Sequence, residues 1–267
     1  MSDFFNQLPP ELMGLLPQHL SWGSLNSLTR TCRRLHAILQ PALDALITPA
    51  VGKTLLLAAA PDKPHIVAKL LAPPYRIPAS AGYESLDDTP LHAATAAGNR
   101  ASAALLLAAG ADPSAVVDEE AMQALHIAAL RADTAMAALL LEHGAPVDVC
   151  FGHDGAHASA LHLACATGNI PLVELLLARG ADMGQNGHNG PALGFAVQGR
   201  QRAVVQLLLE RGANAIMGAL FFARFCGIPG DQDDLLLSIQ REITRTQDED
   251  LQEIGRLLTN AVSRMVA

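Results

Sequence analysis

A chain of 267 residues is long enough for one large or two small domains with a substantial buried core. Half of it is apolar but only 4% is aromatic, so the core has to be built from Ala, Leu and Val, whose small side chains let helices stack closely. The net charge of −8 repels phosphate backbones and anionic headgroups, which argues against nucleic acid and membrane surfaces as partners. Charged residues are only 16%, but Gly and Pro are spread along the chain rather than gathered in a tail, so disorder throughout is not expected. Four scattered cysteines without a CxxC pair argue against a disulfide framework. The first residues carry Asp3 and no basic stretch, and no apolar run approaches the ~20 residues that span a bilayer. The expectation is a soluble intracellular protein, cytoplasmic and/or nuclear.

Residues 5–44 have a rhythm of their own, starting Leu8-Pro9-Pro10-Glu11-Leu12, continuing through spaced leucines, and ending Cys32-Arg33-Arg34-Leu35 before Pro41. Three short helices fit it, with Pro9-Pro10 opening the first, Ser21 to Ser24 a turn with a fresh cap, and Pro41 a stop. Pro17 stands inside the expected first helix, where a proline interrupts the hydrogen-bond ladder. The segment resembles the F-box, whose pattern begins Leu-Pro-x-Glu-Leu and closes Cys-Arg-x-Leu ahead of a proline. That resemblance implies docking on a Skp-family adaptor within a cullin ubiquitin ligase. Carried over residue by residue, it puts Leu8, Pro9, Leu12, Leu16, Leu20, Leu25, Leu28, Leu35 and Leu39 at or beneath the adaptor surface. The alternative is a small helical cap packed on the next domain of the chain.

Next comes a recurring block. Thr89-Pro90-Leu91-His92-Ala93-Ala94 is followed by Leu125-His126-Ile127-Ala128 and Leu161-His162-Leu163-Ala164. Each block leads to a leucine triplet and Gly-Ala: Leu105 to Leu107 with Gly110-Ala111, Leu139 to Leu141 with Gly144-Ala145, Leu175 to Leu177 with Gly180-Ala181. A fourth copy lacks the histidine and runs from Leu193 and Ala196 through Leu207 to Leu209 and Gly212-Ala213. Starts at Thr89, Gln123, Ser159 and Pro191 give steps of 34, 36 and 32. Thr89 caps a helix whose first position is Pro90, Leu91 and Ala94 share one face, and the triplet supplies the apolar face of a second, antiparallel helix. Gly98 and Gly168 end first helices, and Gly110, Gly144, Gly180 and Gly212 end second ones. One such pair cannot hide both its faces, so each must lean on its neighbour. Period, Thr-Pro-Leu-His block and closing Gly-Ala-Asp together resemble ankyrin repeats.

Degenerate copies flank the four at 89–214. One runs from Thr54 to Leu71, with Lys63 where glycine is expected, and the other from Gly218 to Leu237, with Leu220, Ala223 and Gly227 in register. Between the first two copies the Pro-rich stretch from Pro73 to Tyr83 makes an enlarged loop. The repeats as a whole are placed at 54–238. At 246–266, Thr246-x-x-Glu249 reads as a capping box ahead of Leu251, Ile254, Leu258, Val262 and Met265, an amphipathic helix expected to cover the open end. The fold class is therefore all-α: an ankyrin-repeat solenoid of stacked helix pairs preceded by a small three-helix F-box-like domain. That order of modules is familiar in fungal proteins, and the resemblance extends to them.

Constellations that imitate chemistry are few. Cys150, His153, His157, His162 and Cys165 invite zinc, but His162 and Cys165 occupy structural places of the repeat, Cys150, His153 and His157 fall in the loop between repeats, and no CxxC pair is present. His92, His126 and His162 are read as three copies of one strut satisfying loop backbone groups. The stretch from Gly184 to Gly190 lacks the Lys-Ser/Thr ending of a phosphate loop and falls where a hairpin finger belongs. No nucleophile elbow or metal-hydrolase motif appears, so no enzyme, metal or cofactor is expected. The ankyrin resemblance implies protein binding through the finger loops and the exposed positions of first helices. Carried over, this selects Glu119, Glu120, Met122, Leu130, Arg131, Thr167, His188 and Gln198. The functional expectation is the substrate-recognition subunit of an F-box cullin ligase, or alternatively an ankyrin scaffold with an N-terminal cap, the protein substrate being unspecified.

Overall fold

The computed structural model describes residues 56, 59–73, 76–79, 89–117, 121–152, 157–185, 190–228 and 235–266. The helices assigned to the F-box-like segment lie outside the described residues. From Pro90 onward each repeat contributes a first helix, a tight turn and a second helix. The first helices are α2 (Pro90–Ala96), α4 (Ala124–Leu130), α6 (Ala160–Thr167) and α8 (Ala192–Gln198). Their second helices are α3 (Arg100–Ala108), α5 (Thr134–Glu142), α7 (Ile170–Ala178) and α9 (Arg202–Glu210). α1 (Pro64–Leu71) precedes them as the second helix of the first pair, with Leu56 and Ala59 helical before it. First helices pack on first helices from α2 through α8, and second helices on second helices from α1 through α9. Stacked helix pairs are thus the architecture, as the repeat requires.

The core follows the block. Leu91, Leu125, Leu161 and Leu193 are buried, as are Ala94, Ala128, Ala164 and Ala196 one turn later, and the middle leucine of every triplet, Leu106, Leu140, Leu176 and Leu208, is wholly enclosed. Alanine at the second position brings neighbouring first helices close. Gly199 shows how close: a Cβ there would stand 2.4 Å from the Ala166 carbonyl oxygen. Caps fix where helices start. Thr89 accepts the His92 N–H, and Asn99, Asp133 and Asn169 accept those of Ser102, Met136 and Leu172.

Pairs are joined by short antiparallel hairpins, β1 (Val116–Val117) with β2 (Met122–Gln123) and β3 (Cys150–Phe151) with β4 (Ala158–Ser159). Each second strand runs straight into a first helix, so the hairpins project from the N-terminal ends of α4 and α6.

The flanks differ from the sequence expectation in three respects. Lys63 is the N-cap of α1 with φ −125°, matching Asn99 in the next pair rather than the turn glycine. The last copy begins early: Asn214 caps α10 (Ala215–Phe225) immediately after Gly212-Ala213, so an added helical turn stands where other pairs have a hairpin. Its second half is not the Leu235 to Leu237 stretch, which opens α11 (Leu235–Arg245). The helix leaning on both α9 and α10 is α12 (Glu249–Val266), while α11 packs on α10 and α12. The capping box also moves. Asp248 takes the N–H groups of Asp250 and Leu251, and the Thr246 hydroxyl accepts from the Asp248 N–H. A carboxylate one residue before the helix reaches N2 and N3 directly, which a hydroxyl three residues before it does not. Leu251, Ile254, Leu258 and Val262 of α12 are buried, and Met265 is exposed.

Candidate functional site

Two of the three histidines, His126 and His162, are held by the hairpins. His126 accepts the Gln123 N–H at Nδ1 (3.1 Å) and faces the Val149 carbonyl of the next hairpin from Nε2 (2.8 Å). His162 repeats this with the Ser159 N–H (3.0 Å) and the Gln185 carbonyl (3.0 Å). An acceptor at Nδ1 and a donor at Nε2 define the neutral Nε2–H form. Burial lowers the pKa of both rings, against a smaller opposing pull from those carbonyls. Phe151 and Phe195 lie tilted beside them, with ring centroids 4.8 and 4.6 Å away. Neither ring has a nitrogen to spare for a proton relay or a metal. His92 Nδ1 lies 2.7 Å from the Thr89 hydroxyl. Cys165 is sealed in the core, where burial pushes its thiol up to about 12. Among the described residues no three His, Cys, Asp or Glu side chains are grouped so as to hold a metal ion.

The opposite ends of the first helices carry a second set of links. At each turn one residue takes left-handed backbone angles: Gly98, Ala132, Gly168 and Arg200. The next side chain reaches back across the stack. Asn99 donates to the Pro61 carbonyl (3.2 Å), Asn169 to that of Ala132 (2.9 Å) and Gln201 to that of Ala166 (3.3 Å). Asp133 has no proton to give, and Arg100 comes to it instead, at 3.7 Å.

This regular spacing and closure decide the matter, because a sequence profile of three successive ankyrin repeats matches at 55–151, 113–186 and 151–217, together more than half of the chain. The chain belongs to the ankyrin-repeat family. Relatives include the mouse B-cell lymphoma 3 protein homolog, 38% identical over 138 residues that make up 51% of this chain and 29% of that one. An ankyrin repeat-containing protein of Treponema pallidum is 38% identical over 102 residues, 38% of this chain and 34% of its own length. The chain therefore spans about a third of the curated relatives it matches. Ankyrin stacks are protein-binding modules. No helix among the described residues is long and apolar enough to cross a membrane.

An exposed surface lies between hairpins and turns, over the first helices. Leu130, Arg131, Thr167 and Gln198 are exposed there, and Met122 is half-buried in β2. Thr167 returns its hydroxyl to the Ala164 carbonyl. Glu119, Glu120 and His188 lie outside the described residues, as do Leu8, Pro9, Leu12, Leu16, Leu20, Leu25, Leu28, Leu35 and Leu39, the nine residues expected at an adaptor surface. Among the described residues, exposed apolar side chains not selected from the sequence include Val116 in β1, 53% exposed, and Phe225 at the end of α10, 41% exposed. Phe225 precedes the left-handed Gly227 by two residues, as Leu130 precedes Ala132. The register of Leu220, Ala223 and Gly227 already held that information, since it puts Phe225 in line with Ala96, Leu130, Ala166 and Gln198. Val116 had no signal, because a two-residue strand is too short for alternation to show.

Proposed function

We propose that this chain is the substrate-recognition subunit of an F-box-type cullin ubiquitin ligase. In this reading residues 5–44 dock a Skp-family adaptor and the ankyrin pairs within 54–238 hold the protein to be modified, with the helix at 246–266 closing the stack. The observation that carries it is the Leu8-Pro9-Pro10-Glu11-Leu12 start and Cys32-Arg33-Arg34-Leu35 end standing directly ahead of a protein-binding stack. Leu8, Pro9 and the spaced leucines supply the adaptor contact, while Met122, Leu130, Arg131, Thr167 and Gln198, with Glu119, Glu120 and His188, contact the substrate.

The test is association of the purified chain with a Skp-family adaptor. Binding that is abolished by Leu8→Ala with Pro9→Ala supports the reading, and absent or unchanged binding removes it. Removing residues 1–45 separates it from a plain ankyrin scaffold whose N-terminal helices cap the stack. A receptor leaves a remainder that folds alone, whereas loss of the cap leaves one that precipitates.

A further inference from the structure

The binding face is banded by charge. Its floor is neutral, for α2, α4, α6 and α8 contain no Asp, Glu, Lys or Arg between them. The hairpin edge is acidic. Among the described residues of the connecting stretches 109–123, 143–159 and 180–191, Asp112, Asp148 and Asp182 carry charge of one sign, and no Lys or Arg offsets it. Asp112, Asp148 and Asp182 accept hydrogen bonds from nearby backbone N–H groups, and Asp112 also from the Ser114 hydroxyl, but these donors are neutral and leave the negative charge unbalanced. The turn edge is of the other sign. Arg100, Arg131, Arg200 and Arg202 stand at the turns after α2, α4 and α8, against Asp133, which meets Arg100, and Asp248, which meets Arg200. Among the described residues no carboxylate lies within ion-pair distance of Arg131 or Arg202, and both side chains are exposed. Arg131 leans over Gly98 in the neighbouring turn, its Nη2 3.6 Å from where a Cβ there would sit.

The bands run parallel because the topology makes them so. Hairpins lead into helix N-termini and turns follow C-termini, so stacked first helices put the carboxylate-bearing connections on one side and these four arginines on the other. A seven-residue helix makes the floor between them about 10 Å wide, the width of one α-helix with its side chains. Leu130, 49% exposed, and Phe225 mark apolar contact points along this floor, with Ala96 and Ala97 exposed beside them.

We propose that the partner presents to this face an amphipathic helix lying along the stack, its apolar stripe on the first helices, Lys or Arg on the flank toward the hairpins and Asp or Glu on the flank toward the turns. This names the chemistry of the substrate segment and rests on the reading of the stack as the substrate holder. Net charge alone would favour a uniformly basic ligand. Arg131 and Arg202 disfavour one, since like charges set opposite each other weaken and misalign a complex.

The probe is a displayed library of 20-residue helical peptides with a fixed leucine stripe and flank positions randomised among Lys, Glu and Ser, selected against the full chain at 0.15 M salt. The expected winners carry Lys on one flank and Glu on the other. Arg131→Glu with Arg202→Glu weakens them about tenfold, and peptides whose Glu flank is changed to Lys recover that loss. Recovery shows that the variant is folded. Uniformly basic winners, mixed-flank winners indifferent to the double variant, or no winners at all overturn the inference. Adaptor association through Leu8 and Pro9 is read separately and stands or falls by itself.

Discussion

Ala132 is the residue whose replacement tests the turn geometry most directly. It takes φ +54° at a place where the neighbouring repeats have Gly98 at +72° and Gly168 at +77°. In left-handed angles the alanine Cβ crowds the following carbonyl, at about 1–2 kcal/mol. Ala132→Gly removes that strain and returns about 0.5–1 kcal/mol of it through the greater freedom of glycine in the unfolded chain. The Asn169 bond to the Ala132 carbonyl involves only the backbone of that residue and survives the change. The net expectation is a gain of about 0.5–1 kcal/mol, a rise of ~0.4 M in urea midpoint at a slope of about 2 kcal/mol per molar. Gly98→Ala is the mirror experiment. A methyl there meets nothing nearer than Arg131 at 3.6 Å, so its cost of about 1 kcal/mol is purely conformational. Urea titration followed by circular dichroism measures both, and a midpoint lowered by Ala132→Gly or raised by Gly98→Ala refutes the reasoning.

The paired histidines make stability depend on pH. Their lowered pKa values mean that the unfolded chain takes up protons the native one refuses, so stability is whole above the ordinary value of 6.5 and declines as the pH falls below it toward the native values. The slope approaches about 1.4 kcal/mol per pH unit for each ring. Urea midpoints between pH 7.5 and 5 should fall accordingly, and a flat profile would contradict the neutral Nε2–H form. Cysteine reactivity should be graded: at pH 8 alkylation followed by mass spectrometry should modify Cys165 only on unfolding, its thiol being pushed up to about 12. Cys150 and Cys226, both half-buried and raised chiefly by burial, should react in the native chain but more slowly than a free thiol. Rapid labelling of native Cys165 would show that α6 is not packed as described.

The repeating part was legible because each of its features has a short-range physical cause. Thr89 and Pro90 define a helix start by themselves, and the burial of Leu106, Leu140, Leu176 and Leu208 follows from the triplet. The ends resisted because their causes are long-range. Nothing local tells that α12 rather than the Leu235 stretch leans on α9, since both segments are amphipathic and the choice depends on which face of α10 is left open. Gly218 contributes to that choice, for a Cβ there would stand 2.5 Å from Leu193 and 2.8 Å from Leu258 of α12. The exposed surface over the first helices was half legible. Leu130, Arg131, Thr167 and Gln198 follow from the register, whereas Phe225 needed that register to be carried one repeat further.

What the leucine and alanine positions leave unspecified is the register of one pair on the next. Small apolar surfaces slide past one another at little expense, and every repeat offers nearly the same one. The polar links have no such tolerance. On the hairpin side His126 and His162 reach the Val149 and Gln185 carbonyls, and Gln185 donates in turn to the Asp148 carbonyl. On the turn side Asn99, Asn169 and Gln201 each hold a carbonyl of the preceding pair. A slip of even one residue would break these links at both ends of a first helix at once, at about 1–3 kcal/mol for each group left without water or a partner. Apolar burial therefore supplies the drive to stack, and the two polar rails bordering the binding face set its geometry, holding hairpin carboxylates and turn arginines at fixed spacing.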